Sequence, residues 1–281
     1  MSHAFEKFDL HGRTAVVTGG ATGIGFNMVQ ALARAGAKVL IGARRENVLL
    51  EAQATLQADP LIDEILIKPV DLGNRASIRE FIDYANTEMG GVDILVCNAA
   101  QLMFEPLAEI ADSTIDEMMQ VNISANVELV RGFITGMRAK QWGRIIFCSS
   151  AMSRGSTAQD HAGMYTAVKG ALNAYMRTVA AEAGHDNITA NAIILGMYYT
   201  PLMQNNFDEL DAVFGKGTGA AAKRQFASVT ALGRLGDTAE VEGMVQLLAS
   251  DAGKYITGAE LPVDGGMSIM VRPHEPREDM V

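Results

Sequence analysis

The sequence predicts an α/β fold built on a doubly wound parallel sheet, and three observations support this prediction. Short apolar segments alternate along the whole chain with longer segments that read as helices, which is typical of strands connected by crossover helices. The apolar segments are largely continuous, as expected for strands that are covered by helices on both faces. A glycine-rich turn follows the first apolar segment and opens the first helix. Right-handed crossovers between parallel strands then give the doubly wound topology.

The first half of the chain reads as strands and helices in regular alternation. The apolar segment at residues 13–17 leads into the glycine-rich turn, and Gly36 ends the helix that follows. The apolar run at residues 93–97 suits a strand buried on both faces. The predicted strands cover residues 13–17, 38–41, 62–70 and 93–97, and the predicted helices cover residues 26–35, 48–57 and 77–89.

The second half continues the alternation with one interruption. The predicted helices cover residues 113–140, 161–184 and 238–250, and the predicted strands cover residues 144–148, 189–195 and 260–263. Residues 196–236 have a mixed composition and are predicted to form an irregular substrate lid. The polar residues 272–281 are predicted to be a frayed tail, with a role at a subunit contact as the alternative. Residues 1–281 contain no repeat or linker, which predicts a single domain.

Composition excludes several classes of protein. The net charge of −10 argues against a nucleic-acid partner, which would require a basic surface. No apolar run approaches the roughly 20 residues of a membrane span, and the charged N-terminal residues 1–11 do not resemble a signal peptide. Cys97 and Cys148 lie in apolar segments and are expected to be buried free thiols rather than a disulfide or metal ligands. We therefore expect a cytoplasmic protein with no metal site and no membrane partner.

The glycine-rich turn has the context of a pyrophosphate-binding loop, because it follows a strand and opens a helix. Gly19 permits the tight turn, and Gly23 and Gly25 let a pyrophosphate and the sheet approach the backbone closely. The helix N-terminus adds unpaired N–H groups and a partial positive charge. The predicted binding residues of this loop are Gly19, Thr22, Gly23, Ile24 and Gly25.

The end of the second predicted strand indicates which dinucleotide binds. An NAD site usually has an acidic residue there, about 20 residues after the turn, to hold the ribose diol. This chain has Ala43 at that point, followed by Arg44 and Arg45. A guanidinium suits a ribose 2′-phosphate, so NADP is favoured and NAD remains the alternative. Both arginines are also compatible with a solvated helix start, although cations at a helix N-terminus oppose its dipole.

Tyr165 and Lys169 lie four residues apart in a helical segment, so their side chains share one face. A free phenol, with a pKa near 10, is a poor base at neutral pH, but a neighbouring ammonium lowers that pKa. Such a tyrosine can take a proton from an alcohol or return one to a carbonyl oxygen. An isolated pair of this kind also occurs by chance on solvated helices, so its meaning depends on the other motifs.

Taken together, these motifs make the chain resemble the classical short-chain dehydrogenase/reductase family over residues 12–267. The resemblance implies a single Rossmann-fold domain with a dinucleotide across the carboxyl ends of the strands. The matched segments are residues 18–25, 71–72, 97–100 and 263–266, with Asn122, Ser149, Ser150, Tyr165, Lys169 and Thr200.

The resemblance also implies the catalytic roles. Tyr165 would be the general acid and base, and Lys169 would lower its pKa and hold the nicotinamide ribose. Ser150, rather than Ser149, would hydrogen-bond the substrate oxygen. Asn122 would support a water-linked proton relay through Lys169, although an ordinary polar residue inside a helix is the alternative.

Further cofactor contacts are implied for Asp71, Leu72, Asn98, Ala99, Tyr198 and Thr200. Asp71 would contact the adenine, with a simple turn residue as the alternative. Asn98 would stabilise the central strand, and Thr200 with the backbone of Tyr198 would hold the nicotinamide carboxamide.

Three departures from the family pattern are visible. Ser150 precedes Tyr165 by 15 residues, which is longer than usual and predicts a bulged loop. Ala100 replaces a glycine after Asn98, and Leu195 replaces a proline before Gly196. Ser153 is a less favoured substitute for Ser150, because it lies beyond the strand.

We therefore expect an NADP-dependent oxidoreductase that interconverts a ketone and a secondary alcohol. The alternatives are an NAD-dependent alcohol or sugar-type dehydrogenase and a non-catalytic, cofactor-sensing binding protein. The resemblance further implies a homotetramer, built partly by the helices at residues 113–140 and 161–184. The candidate substrate-pocket residues are Gln101, Met103, Met152, Arg154, His161, Met164, Met197, Tyr199 and residues 203–207.

Overall fold

The computed structural model describes residues 6–154, 161–270 and 273, and within them it forms a parallel sheet flanked by helices. The sheet has seven strands in the order β3-β2-β1-β4-β5-β6-β7. The strands are Thr14–Thr18 (β1), Lys38–Ala43 (β2), Ile65–Pro69 (β3), Ile94–Cys97 (β4), Gly143–Ser150 (β5), Ile188–Leu195 (β6) and Glu260–Val263 (β7). This arrangement confirms the predicted doubly wound α/β fold.

Helices connect the strands and cover both faces of the sheet. They are Gly23–Arg34 (α1), Glu46–Gln57 (α2), Arg75–Met89 (α3), Asp112–Met119 (α4), Ala125–Lys140 (α5), Gly163–Ala183 (α6), Pro201–Phe214 (α7), Thr218–Ser228 (α8) and Glu242–Ala249 (α9). Short 3-10 turns occur at Ala151–Arg154, Gly184–Asp186, Thr238–Val241, Asp251–Gly253 and Met267–Ile269.

Alternate side chains of strands β1 to β6 enter two separate hydrophobic cores, and β7 contributes to one of them. One core packs the sheet against α3, α5 and α6, and the other packs it against α1, α2 and α9. Cys97 belongs to the first core and Cys148 to the second, so the sheet separates the two buried free thiols. This placement fits the expectation that both cysteines behave as small hydrophobic residues.

The helix predicted at residues 113–140 is interrupted in the structure. α4 ends at Met119, a π-helical turn covers Gln120–Ser124, and α5 begins at Ala125. A π-turn inserts one extra residue into the helical ladder and is common at functional sites. Helical periodicity in the sequence does not reveal such an insertion.

The irregular conformation predicted for residues 196–236 is wrong, because this segment contains α7 and α8. Thr200 caps α7 by accepting a hydrogen bond from the Met203 amide at 3.2 Å, and Pro201 occupies the first helical turn. The rings of Phe207 and Phe226 pack 6.1 Å apart between the two helices. The expected tail at residues 272–281 lies outside the described residues, apart from Pro273.

Among the described residues, the structure shows no helix that is both long enough and apolar enough to cross a membrane.

Candidate active site

The candidate site residues gather at one edge of the sheet. All seven strands are parallel, so their carboxyl ends meet there. The glycine-rich turn follows β1, Asn98 follows β4, and Ser150 is the last residue of β5. The crossover direction changes between β1 and β4, which is where open α/β sheets form their ligand crevice.

The glycines of the turn are required by backbone geometry. Gly19 and Gly23 have φ angles of +66° and +56°, in the left-handed region that favours glycine. A Cβ on Gly25 would lie 2.2 Å from the Gly19 carbonyl oxygen and 2.5 Å from Asn98 Nδ2. α1 begins at Gly23, so its unpaired N–H groups open into the crevice beside exposed Thr22.

Asn98 fixes this turn to the neighbouring strand. Its Nδ2 donates to the carbonyl oxygens of Thr18 at 3.1 Å and Gly19 at 3.0 Å. The buried Thr18 hydroxyl in turn accepts from the backbone amides of Asn98 and Ala99, both at 3.2 Å. Sequence reasoning identified Asn98 and missed this role of Thr18, although a threonine at the end of a buried strand is a signal that could be sought.

Arg44 and Arg45 follow β2 directly, and both side chains are exposed. Arg45 is the N-cap residue of α2 but makes no side-chain capping hydrogen bond. Within the part of the chain that the structure describes, neither guanidinium forms a hydrogen bond or an ion pair. Ala43, the last residue of β2, leaves no carboxylate at this point, so two free cations face solvent beside the crevice.

Asp71 is exposed and forms a local turn. Its Oδ1 accepts from the Gly73 amide at 2.9 Å, while its own amide donates to the Ser77 hydroxyl at 3.0 Å. Leu72 is buried, and its carbonyl oxygen accepts from Gln120 Nε2 at 3.1 Å. The turn therefore has a structural use, which leaves the proposed adenine contact of Asp71 as a prediction.

Thr200 and Tyr198 lie on the segment after β6. The Thr200 side chain faces the turn after β1, because a Cβ on Gly23 would lie 3.6 Å from its Cγ2. Tyr198 is buried and donates its hydroxyl to the Val263 carbonyl oxygen at 2.7 Å. These contacts fix the two residues that the family resemblance assigns to the nicotinamide.

Tyr165 and Lys169 lie on the same face of α6, as predicted from their spacing. The Lys169 ammonium is 5.6 Å from the centre of the Tyr165 ring. Lys169 is buried and donates to the Cys148 carbonyl oxygen at 2.8 Å, which joins α6 to β5. The phenol and the ammonium therefore sit beside the end of the strand that carries Ser150.

The expected lowering of the Tyr165 pKa by Lys169 is wrong for this structure. Burial raises the pKa of Tyr165 to about 12, and a hydrogen bond with the Ser150 side chain acts in the opposite direction. Burial also lowers the pKa of Lys169 to about 8, so its positive charge is itself destabilised. Desolvation by burial is the largest cause of both shifts, and the ammonium directs its hydrogen bond at the backbone carbonyl of Cys148.

Ser150 is the serine that the structure brings to Tyr165. Its hydroxyl also accepts from the Met152 amide at 3.3 Å, in the 3-10 turn Ala151–Arg154. Residues 155–160, in the loop that is expected to bulge, lie outside the described residues. Ser149 is buried, and within the described residues its hydroxyl has no hydrogen-bond partner. Ser153 instead donates to the Ser150 carbonyl oxygen at 2.6 Å, so it does not replace Ser150 in the site.

Asn122 occupies the π-turn between α4 and α5. Its Nδ2 donates to the carbonyl oxygens of Gln101 at 3.0 Å and Met118 at 3.1 Å. Its Oδ1 is buried and has no hydrogen-bond partner among the described residues. An unsatisfied buried acceptor requires an explanation, and a bound water or ligand group is one that polar sites commonly supply. The sequence did not predict this π-turn, although Asn122 within it was identified as a candidate site residue.

These features fit a dinucleotide at the crevice. Neighbouring atoms lie so close to Gly19 and Gly25 that a side chain at either position would occupy the remaining space. The N-terminus of α1 opens at the same place. Arg44 and Arg45 supply two free cations at one side. Among the described residues, no group of three or more His, Cys, Asp or Glu residues has the geometry of a metal site.

Some of the expected pocket residues have other partners. Arg154 donates to the Glu260 carbonyl oxygen at 3.2 Å and lies 3.8 Å from its carboxylate, so it is not a free anion-binding group. Gln101 donates to the Glu117 carboxylate at 2.8 Å. His161 is exposed with a φ of +65°, and its carbonyl oxygen accepts from the Glu105 amide at 3.0 Å.

An aromatic cluster connects the site to α7 and α8. The partly exposed Tyr199 ring stacks on Phe207 with a centroid distance of 6.4 Å. Lys223 of α8 places its ammonium 4.7 Å from the Tyr199 ring centre. Met103, Met164, Met197 and Met203 are all half-buried, and the Met152 side chain is buried.

A cavity of about 450 Å³ lies beside this segment, at the ends of β6 and β7. It shares Met197 and Tyr198 with the candidate site, and its other walls come from residues 230–240 and 262–266. Arg234 and Glu240 line one side, where the guanidinium donates two hydrogen bonds to the carboxylate at 2.6 and 2.7 Å.

The chain is similar to known dehydrogenases. The family model described as short chain dehydrogenase matches residues 13–211. D-beta-hydroxybutyrate dehydrogenase from Cupriavidus necator is 28% identical over 257 residues, covering 92% of this chain and 98% of that protein.

Two solved structures are similar over nearly the whole chain. L-sorbose reductase from Gluconobacter frateurii, complexed with NADPH and L-sorbose, has a TM-score of 0.89 and 28% identity, covering 94% of this chain and 99% of that one. A 3-oxoacyl (acyl-carrier-protein) reductase from Agrobacterium tumefaciens, with NADP bound, has a TM-score of 0.84 and 25% identity, covering 93% and 96%.

Proposed function

Because the chain belongs to the short-chain dehydrogenase family and is an oxidoreductase of the alcohol–ketone type, we propose that it uses NADP to interconvert a ketone and a secondary alcohol. The proposed catalytic residues are Tyr165, Lys169, Ser150 and Asn122. The observation that carries the proposal is the hydrogen bond between Ser150 and Tyr165, at the end of β5 and one helical turn from Lys169.

Ser150 and Tyr165 together offer two hydrogen-bond donors to one substrate oxygen. In the reducing direction, that oxygen gains negative charge and then a proton, and both hydroxyls stabilise the charge as it develops. With its pKa raised to about 12, Tyr165 is protonated at neutral pH and is ready to act as the acid. The bound nicotinamide supplies or accepts the hydride in this chemistry.

Lys169 contributes a buried positive charge at the same place. Its pKa is lowered to about 8, so at neutral pH most of the population still carries the proton. A cation there favours the phenolate that forms when Tyr165 gives up its proton. Asn122 fixes the neighbouring loop through Gln101 and keeps its Oδ1 free for a further donor.

The preference for NADP is supported by Arg44 and Arg45. Both are exposed at the end of β2 and have no partner within the described residues, where an NAD site usually has a carboxylate. A ribose 2′-phosphate would accept charge-assisted hydrogen bonds from both guanidinium groups. Two similar solved structures are complexes with NADPH or NADP, which agrees with this assignment.

Four further features belong to the proposal. The α7–α8 segment is proposed to be the substrate lid, because it begins at Thr200 beside the glycine-rich turn. The substrate is proposed to be a small carbonyl compound or its alcohol. Assembly as a homotetramer and a cytoplasmic location remain predictions.

A turnover screen tests this proposal directly. Purified protein is incubated with NADPH or NADH and a panel of keto acids, ketoses, ketoacyl thioesters and cyclic ketones, and absorbance at 340 nm is followed. We expect at least one ketone to be reduced with NADPH faster than with NADH, and the Tyr165→Phe variant to lose that activity. Equal rates for Tyr165→Phe and the wild type would refute the mechanism.

A further inference from the structure

We propose that Asn173 and Ser153 are positioning residues that hold Ser150 against Tyr165. This inference rests on the proposed function, because it concerns the placement of a residue in that same site. Both side chains bond to other protein groups, so the proposed role requires neither of them to contact substrate or cofactor. They act on the site through a chain of hydrogen bonds that starts at β7 and ends at the last residue of β5.

The chain of hydrogen bonds is continuous. Ser153 donates its hydroxyl proton to the Ser150 carbonyl oxygen at 2.6 Å. Asn173 Nδ2 donates to the Ser153 hydroxyl at 3.0 Å and to Glu260 Oε2 at 3.3 Å. The Ser153 hydroxyl therefore has both its proton and a lone pair engaged, which leaves it little freedom to rotate.

Burial makes the orientation of Asn173 definite. The residue is 4% exposed, and among the described residues its Oδ1 has no hydrogen-bond partner. The carboxylate of Glu260 can only accept a hydrogen bond, so it selects the Nδ2 side of the amide. A buried amide with one unsatisfied oxygen is costly and unusual in a region that serves packing alone.

Glu260 is itself held in place from two sides. Arg177 of α6 forms an ion pair with its carboxylate, and Arg154 donates to its carbonyl oxygen at 3.2 Å. Arg154 is adjacent to Ser153 in the 3-10 turn Ala151–Arg154. The turn is thus fixed to β7 through both Arg154 and Asn173, although β6 lies between β5 and β7.

The position of Ser150 depends on this turn. Ser150 ends β5, and its hydroxyl accepts from the Met152 amide at 3.3 Å while also bonding to Tyr165. Any rotation of the backbone at residue 150 would move the hydroxyl relative to the phenol. Tyr165, Lys169 and Asn173 lie four residues apart on the same face of α6. One helix therefore carries both Tyr165 and the residue, Asn173, that supports Ser150.

Ser150 precedes Tyr165 by 15 residues, which is a longer interval than is usual for the family pattern. A longer connection has more conformational freedom and requires more contacts to fix its first turn. The hydrogen bonds from Ser153 and Asn173 supply those contacts at the point where the strand ends. Catalytic groups need placement to within a fraction of an ångström, so loss of this support is expected to reduce kcat.

The experiment compares four variants with the wild type, using the ketone found in the turnover screen. We expect Asn173→Ala and Ser153→Ala to lower kcat about tenfold with KM changed less than about twofold, because misplacement by a fraction of an ångström affects the transition state most. Ser153→Thr keeps the hydroxyl and should restore most of the activity. Thr178→Ala removes a side-chain hydrogen bond at 3.4 Å elsewhere on α6 and should behave as the wild type.

A second readout needs neither cofactor nor substrate. 3-Fluorotyrosine is incorporated, and the ¹⁹F resonance of residue 165 is identified by its loss in Tyr165→Phe. We expect Asn173→Ala and Ser153→Ala to move that resonance toward the position found in Ser150→Ala, because all three weaken the same hydrogen bond. Ser153→Ala is a small change at a half-buried position, so the test survives if Asn173→Ala fails to fold.

The two readouts separate failure of this inference from failure of the proposed function. If no ketone is reduced but the resonance moves as expected, the proposed function fails and the positioning role stands. If wild-type activity is found but both alanine variants keep the wild-type kcat and resonance, the positioning role is refuted.

Discussion

The two ends of the sheet treat polar side chains in opposite ways. At the amino end, the buried Asp93 carboxylate accepts from the Thr14 amide at 3.1 Å and from Lys140 Nζ at 2.8 Å. At the carboxyl end, Asn122 Oδ1 and Ser149 Oγ are buried without a hydrogen-bond partner among the described residues. Chemistry needs groups that are free to bind something else, whereas stability needs groups that are already satisfied.

Arg144 shows how completely the amino end is satisfied. Its buried guanidinium donates to Asp251 at 3.1 Å and to the carbonyl oxygens of Gly143 and Asn187 at 3.0 and 3.3 Å. It also lies 4.2 Å from the Trp142 ring centre, with Arg13 at 3.8 Å from the same ring. The amino end of the strands therefore holds buried charges that are already paired, whereas the carboxyl end holds the proposed catalytic residues.

The Tyr165→Phe variant at the carboxyl end is the strongest test of the difference between the two ends of the sheet. Removing the hydroxyl that is proposed to transfer the proton should lower kcat about 10² to 10⁴-fold, because that is the range for loss of a general acid or base. The thermal unfolding temperature should change by less than a few degrees, since only one hydrogen bond, with Ser150, is lost. Steady-state kinetics and circular dichroism on the same preparation measure both quantities.

The matching change at the amino end is Arg144→Met. Methionine keeps most of the volume but leaves the carbonyl oxygens of Gly143 and Asn187 without this donor. We expect a loss of about 2–4 kcal/mol in the free energy of unfolding, because each buried group left unsatisfied costs about 1–3 kcal/mol. Urea unfolding measures the loss, and kcat of the folded variant should be unchanged. A large fall in kcat would show that the two ends are not separate.

A third prediction compares two lysines. Burial lowers the pKa of Lys169 from 10.5 to about 8, so the unfolded state holds this proton more tightly than the folded state. Burying the charged form of Lys169 therefore lowers the free energy of unfolding. This cost is fully present below about pH 8 and disappears as the pH rises to 10.5.

Lys169→Met should accordingly stabilise the protein at pH 7 by about 1–3 kcal/mol, less the hydrogen bond to Cys148, while turnover is lost. This gain over the wild type should shrink between pH 8 and 10.5. Lys140→Met at the amino end should do the reverse and destabilise, because it leaves the buried Asp93 carboxylate without its cation. Urea unfolding at several pH values measures both; destabilisation by Lys169→Met at pH 7 would contradict the account.

Much of the fold followed from the sequence, because continuous apolar strands and a glycine-rich turn depend on local residue types. The strand at Glu260–Val263 was predicted with the same bounds, and β1 and β2 were predicted to within two residues. Tyr165 and Lys169 were placed on one helical face by their spacing, whereas Ser150 was assigned by the family resemblance. These are features that a short stretch of sequence carries by itself.

Other features depend on contacts that sequence spacing does not show. The π-turn at Asn122 and the pKa of Tyr165 are set by packing and burial rather than by helical periodicity. Arg154 was a candidate pocket residue, but it donates to the carbonyl oxygen of Glu260, 106 residues away. The segment 196–236 appeared irregular because Gly215, Gly217 and Gly219 interrupt its pattern. In the structure, aromatic contacts between Tyr199, Phe207 and Phe226 connect its two helices.

We propose that the carboxyl end of the sheet holds NADP beside Tyr165. Titration of the wild type with NADPH and with NADH, followed by nicotinamide fluorescence, tests it most directly. We expect NADPH to bind at least about tenfold more tightly, since one charge-assisted contact contributes about 1.5–3 kcal/mol. The double variant Arg44→Ala/Arg45→Ala should lose that preference and keep its affinity for NADH. Equal or tighter binding of NADH by the wild type would contradict the claim.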